Sequence, residues 1–150
     1  AGAGDSVLVQ QLYERVNWGG AAATPDSAPN PRLLAYIQAA RRGATVRIML
    51  DSFFDPGSNS QTAAYLNLLA QAERLDLVAR LANPAGSGLH NKMVLVQAGG
   101  TGWVHVGSLN GSEASVKINR ELAVQVQSNA VYDYFAAAFW QDWLLAGGPR

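Results

Sequence analysis

Cysteine is absent from the 150-residue sequence, which removes disulfides, zinc–thiolate sites and thiol nucleophiles. Lysine is nearly as scarce, with Lys92 and Lys117 the only two, and the eleven basic residues are matched by eleven acidic ones. A chain of zero formal net charge has no general field to gather nucleic acid or an anionic membrane, so any basic groove must be local. Charged residues make up 15% of the chain, below the usual quarter, and apolar residues 49%, which excludes intrinsic disorder. Long apolar runs are lacking too. The longest, Tyr134 to Trp140, falls far short of the roughly 20 residues a membrane span needs, so a soluble chain without stable membrane insertion is expected. Ala1-Gly2-Ala3-Gly4 has no signal-peptide pattern, and a first residue other than Met suggests processing or a piece of a longer protein. Extracellular and cytoplasmic settings are both open. The length is that of a single domain, 1–150.

What is present alternates in character. Asn30-Pro31 followed by Leu33, Leu34, Ile37 and Ala40 sets a capping amide, a first-turn proline and an apolar stripe in order, and Gly43 offers a left-handed stop, so 31–42 reads as a helix. Thr45 to Leu50 reads as a strand that breaks at Asp51 and Pro56-Gly57. Ser58-Asn59-Ser60 supplies caps for a second helix carrying Ala64, Leu66, Leu68, Leu69 and Ala72, and Leu75 to Leu81 has strand character. With Val7 to Leu12 as the first strand the pattern is βαβαβ, which favours parallel strands joined by helical crossovers. In the second half, Lys92 to Gln97, Trp103 to Val106 and Leu122 to Val126 read as strands, with the glycines of 98–102 as hairpin material. Val131 to Leu145 closes the chain as a helix whose Tyr132, Phe135, Phe139, Trp140 and Trp143 face the sheet as core. Residues 19–29 read as a loop.

The candidate chemistry lies in the second half. His90 and Lys92, two apart at the start of a strand, point to the same side roughly 6.6 Å apart, so one phosphate can touch both. Val94 and Val96 continue that face while Met93 and Leu95 fill the other, which leaves a polar pair at the mouth of a strand buried on both sides. Ser108 and Asn110 close the next strand with groups able to donate hydrogen bonds to an anion. Glu121, after Asn119 and Arg120, is a carboxylate able to orient an imidazole through its second ring nitrogen.

In that order and spacing, Gly88-Leu89-His90-Asn91-Lys92, the glycine hairpin, Gly107-Ser108-x-Asn110 and Asn119-Arg120-Glu121 resemble the phospholipase D superfamily, most strongly over residues 88–145. The resemblance implies an α/β fold, a mixed β-sheet flanked by helices on both faces. It implies that His90 is the nucleophile that forms a phosphohistidine, that Lys92 and Asn110 hold the non-bridging oxygens with Ser108 in support, and that Glu121 fixes the imidazole tautomer. It implies no metal and no cofactor, because fixed donors neutralise the charge. A neutral imidazole suits a pH near or above its reference pKa of about 6.5. The family's pattern has an aspartate where this sequence has Gln97, which puts supporting electrostatics in doubt more than the nucleophile.

The family's reaction uses two histidines, one attacking and one protonating the leaving group, and this chain holds one motif. Its other histidine, His105, has no lysine two residues on and reads as structural. The partner is therefore a second copy in a homodimer, or a second motif-bearing half of a longer protein. Asp51 and Asp55 read as turn and cap residues, and Arg41-Arg42 as complements to a helix dipole. Tyr13 and Trp18 read as packing residues. The expected function is a metal-independent phosphodiesterase acting on a phospholipid or other small diester, since two lysines are few for a non-specific nuclease. A homodimeric endonuclease, for which nucleic acid is the partner, and a catalytically degenerate dimerisation or anion-binding module are the alternatives.

Overall fold

The Asn30 side chain accepts from the Arg32 amide, Pro31 occupies the first turn, and Gly43 follows the last turn at φ +92°. These signals delimit the first helix of a computed structural model that describes residues 1–147. The elements are β1 (Ser6–Gln11), α1 (Pro31–Arg41), β2 (Thr45–Asp51), α2 (Pro56–Glu73), β3 (Leu77–Ala82), β4 (Lys92–Ala98), β5 (Thr101–Gly107), α3 (Glu113–Lys117), β6 (Ala123–Gln127) and α4 (Asn129–Leu145). The strands form one sheet in the order β3-β2-β1-β4-β5-β6. β1, β2 and β3 are mutually parallel through the α1 and α2 crossovers, whereas β4, β5 and β6 join by antiparallel ladders. The sheet is mixed, as the alternation in the first half and the glycine hairpin in the second require.

Strand alternation divides the core in two. Val7, Val9, Val46, Ile48 and Leu50 face α1 and α2, and pack with Leu33, Ile37, Leu66 and Ala70. Leu8, Met49, Met93, Leu95 and Val104 face α4 on the other side. Tyr132, Phe139 and Trp143 of α4 are buried there, with Phe135 and Trp140 partly covered. Phe139 and Trp143 stack at 5.8 Å, and each such burial contributes on the order of 1.5–3 kcal/mol.

Several boundaries and contacts depart from the sequence reading. The cap of α2 is Asp55, so the helix starts at Pro56 and not within Ser58-Asn59-Ser60. Asn59 is buried instead, donating to the Leu12 and Asp51 carbonyls at 2.8 and 2.7 Å and accepting from the Glu14 amide. Ala64, Leu68 and Ala72 are exposed, because α2 turns Ala63, Leu66 and Ala70 to the sheet. α3, a single helical turn capped by Ser112, has no counterpart in the apolar pattern. β4 is not buried on both sides. Val94 and Val96 are half-buried, since α1 and α2 lie over the β1–β3 half of the sheet.

At one end of the sheet lies a buried charge. Glu14, just past β1, is fully enclosed; its carboxylate accepts from Asn30 at 2.8 Å and from the Arg32 guanidinium at 3.1 Å. Burial pushes its carboxyl up, against the opposing pull of Arg32 and Asn30. Replacing Arg32 by Met removes the countercharge and should cost about 3–5 kcal/mol in urea denaturation at neutral pH. A carboxyl whose folded pKa lies above its unfolded one costs stability as pH rises through the folded value, so the deficit should shrink on acidification.

Candidate active site

The site is assembled from chain that continues past strand ends. β4 begins at Lys92, so His90 lies in the irregular segment just before it and not, as the spacing suggests, within the strand. That segment is held by Asp51, the buried last residue of β2. One Asp51 oxygen accepts from the Leu89 amide at 2.6 Å and the other from the amides of Phe53, at 2.8 Å, and Phe54. Gly88, at φ +88°, admits the Phe54 ring where a Cβ would collide with it, and Phe54 then meets the His90 ring edge-on at 6.0 Å. Asp51 thus acts as the turn residue the sequence suggests and also fixes the approach to His90.

His90, Lys92, Gly107, Ser108, Asn110 and Glu121 line one cavity of about 400 Å3. All five side chains singled out from the sequence are in it. The Lys92 ammonium donates to the His90 carbonyl at 2.7 Å and sits 3.0 Å from Nδ1 and 3.4 Å from Nε2 of the same ring. Burial lowers the Lys92 pKa from its ordinary 10.5, with Glu121 pulling the other way. Ser108 and Asn119 hydrogen-bond the Glu121 carboxyl and hold it below the ordinary carboxylate range, with Lys92 adding to the effect. Glu121 is therefore engaged by these two residues, and no hydrogen bond joins it to His90; the orienting contact expected between them is not formed in this arrangement. Asn110 has a buried Oδ1 without a hydrogen-bond partner, and its Nδ2, the donor that an anion would need, forms no hydrogen bond among the described residues.

The 108–111 turn is pinned from behind. Ser108 exchanges hydrogen bonds with Leu122, and the Gly111 amide donates to the Tyr13 carbonyl at 3.0 Å. A side chain at Gly111 would occupy the space of the Glu14 carboxylate, so only glycine lets this turn close on the buried acid.

Residues outside the cavity have other roles. His105 projects from β5 into a separate hollow with Arg32 and Trp103, where burial lowers its pKa. Gln97 lies at the far end of β4, about 17 Å from Lys92 by strand rise, and does not line the cavity. Asp55 caps α2 and pairs with Arg15 at 3.3 Å. Arg41 pairs with Glu73 at 2.6 Å, and Arg42 reaches the Ala1 carbonyl, so neither is given over to the α1 dipole alone. Arg15 lies over Tyr13 and Lys117 over Trp18. No cluster of three or more His, Asp or Glu able to hold a metal occurs among the described residues. No helix among them is long and apolar enough to cross a membrane.

A mixed sheet between two helical layers, with His-x-Lys, Ser-x-Asn and a carboxylate gathered at one end, defines a phospholipase D-like domain. The family model described as "Cardiolipin synthase, PLD-like domain" matches residues 22–143, and the chain belongs to this family and to the phospholipase D superfamily. Among solved structures it is similar to Nuc, a phospholipase D family member from Salmonella typhimurium, with 21% identity, a TM-score of 0.68, and coverage of 95% of this chain and 80% of that one. It is also similar to NucT from Helicobacter pylori, with 17% identity, a TM-score of 0.65, and coverage of 94% and 79%. At these identities the two structures speak for the fold. No curated protein matches the sequence significantly.

Replacing Asp51 by Ala orphans three backbone amides at once. It should lower the urea-unfolding free energy by at least about 3 kcal/mol and displace the His90 ring resonances in NMR spectra of the folded protein.

Proposed function

We propose that the chain is a phosphodiesterase of the phospholipase D type, working through His90 without a metal ion. The observation that carries this reading is the shared cavity: an imidazole, an ammonium group and an uncommitted amide converge where one phosphate fits. In the first step a neutral His90 ring nitrogen attacks phosphorus. The N–P bond forms as the P–O bond to the leaving alcohol breaks, and the departing oxygen takes a proton from a second imidazole. Water, giving a proton back to the second imidazole, then attacks the phosphohistidine; the new O–P bond forms, the N–P bond breaks and both imidazoles return to their starting states. Lys92 and Asn110 bind the non-bridging oxygens as charge develops on them, and Ser108 and Glu121 shape the rim.

The second imidazole is supplied by another His90 across a two-fold axis, since His105 opens into a different hollow. Exposed Phe53, Phe54 and Leu122 beside the cavity support such a pairing, being apolar surface that a second copy would cover. The placement of Gln97 far from the phosphate supports an active rather than a degenerate domain. Few cations line the cavity, which favours a small diester or phospholipid over a long nucleic acid.

His90→Ala should abolish hydrolysis of bis(p-nitrophenyl) phosphate measured with chelator present, while the wild type keeps its rate; chelator-sensitive activity, or activity in the variant, defeats the reading. Sedimentation velocity at high concentration should show a dimer. With Lys92 depressed by burial, kcat/KM should fall on the alkaline side below pH 10.5, and Lys92→Arg should move that fall upward.

A further inference from the structure

A second hollow, of about 490 Å3, opens between α4 and the β4–β5 ladder and shares His90, Lys92 and Gly107 with the phosphate cavity. Its size is that of a small-molecule site. Beyond the shared residues its walls are Met93 and Val106 from the sheet and Tyr134, Phe135 and Ala138 from α4. Gln10 and Asn91 complete it, with both polar atoms of the Gln10 amide and the Nδ2 of the exposed Asn91 already committed. Asn91 Nδ2 donates to Gln10 Oε1 at 2.9 Å, and Gln10 Nε2 donates to Asp142 of α4 at 2.8 Å. This amide chain ties the middle residue of the His-x-Lys segment, through β1, to the helix that forms the opposite wall, so the groove is fixed by the fold. Among the described residues, Lys92 is the single Lys, Arg, Asp or Glu in its lining, and Lys92 is the residue assigned to the phosphate.

We propose, resting on the phosphodiesterase reading above, that this groove is the subsite for an ester substituent of the substrate, and that it selects an alkyl chain. Continuity fixes its relation to the phosphate: a diester held at His90 and Lys92 sends one of its two oxygens toward Gly107 and the groove beyond. Charge fixes the class. An oligonucleotide would bring a second phosphate into a channel whose described lining holds no further cation to receive it, whereas an alkyl chain meets Met93, Val106 and Phe135 and leaves the exposed polar ends of Tyr134 and Asn91 in solvent. Tyr134, 75% exposed, and Ala138, also exposed, stand at the lip, where they gate entry without carrying the core.

The test uses binding and turnover side by side. Isothermal titration calorimetry compares dimethyl-, butyl(methyl)- and octyl(methyl)phosphinate, monoanions that contain no P–O ester bond to break, with the dinucleotide TpT, and p-nitrophenyl methyl, butyl and octyl phosphates are assayed for turnover. Affinity should rise at least about tenfold from methyl to octyl, a modest share of what full burial of each methylene would give. Ala138→Trp fills the groove from an exposed helix position and should collapse the octyl-to-methyl ratio toward one; Tyr134→Ala should reduce it as well. An unchanged ratio in Ala138→Trp, no rise with chain length in the wild type, or TpT binding more tightly than the octyl ligand overturns the subsite. If the chain-length preference in binding is found and no diester is turned over, the subsite stands and the phosphodiesterase reading falls. If diesters are hydrolysed without regard to chain length, the reverse holds.

Discussion

One buried carboxylate organises the end of the sheet on which the site is built. Glu14 has no solvent contact, and the residues around it come from segments far apart in sequence: Asn30 and Arg32 from the start of α1 hydrogen-bond its carboxylate, and Gly111, from the turn that carries Asn110, closes over it. Its backbone is held as well, with Thr62 and Asn59 of α2 bonding its carbonyl and amide. A charge taken out of water is tolerable only when paired and fully hydrogen-bonded, so these groups must arrive together or not at all. The consequence is geometric. The turn over residues 108–111 is fixed against a rigid post, and the loop that precedes α1 is drawn into the same knot.

A second acid does the same for the other side of the cavity. Asp51 gathers the amides of Phe53, Phe54 and Leu89, which joins the end of β2 to the segment before β4. His90 is thereby presented at the edge of a turn, neither strand nor helix, with Phe54 against one edge and the Lys92 ammonium against its nitrogens. Two enclosed carboxylates, neither of them in the cavity, set the positions of the groups that are. Both sit just past or at the ends of adjacent parallel strands, where crossover connections leave a crevice in sheets of this kind.

Much of this was legible in the chain. The βαβαβ alternation, the glycine hairpin and the aromatic stripe of α4 are local patterns, and they correspond to the parallel half, the antiparallel half and the second core. The five cavity residues were legible through the order and spacing in which their motifs resemble the phospholipase D superfamily, whereas strand periodicity alone placed His90 inside β4, which begins only at Lys92. Glu14 was not. A lone acid between Tyr13 and Arg15 reads as surface, and its burial depends on Asn30, Arg32 and Gly111, up to 97 positions away, which no local period reports. The cap of α2 was misread for a related reason: three polar residues in a row look like a cap, yet Asn59 was needed in the interior to satisfy the ends of β1 and β2. The Asn91–Gln10–Asp142 chain is likewise a tertiary feature, since buried glutamine at a strand centre runs against the pattern that identifies the strand.

The charges of the cavity bear on which phosphate esters it can process. Lys92 contributes one positive charge and Glu121 one negative charge, and the proposed attack uses a neutral imidazole, so in that step a single cavity has no surplus positive charge. A diester brings one negative charge, which the ammonium can meet while Glu121 stays turned toward Ser108 and Asn119. A monoester at neutral pH brings nearly two, and the second would lie beside the carboxylate with no cation of its own. Juxtaposing a second cavity, as the proposed pairing does, adds another Lys92, another Glu121 and a second imidazole, and the extra positive charge is the proton that this imidazole carries for the leaving oxygen. The transition state, in which charge spreads over the equatorial oxygens, then gains that proton beside ammonium groups that the ground-state monoanion does not fully use. Under the proposed mechanism, a preference for diesters and dependence on a partner copy would share one electrostatic cause: a half-site whose positive charge is already offset by Glu121.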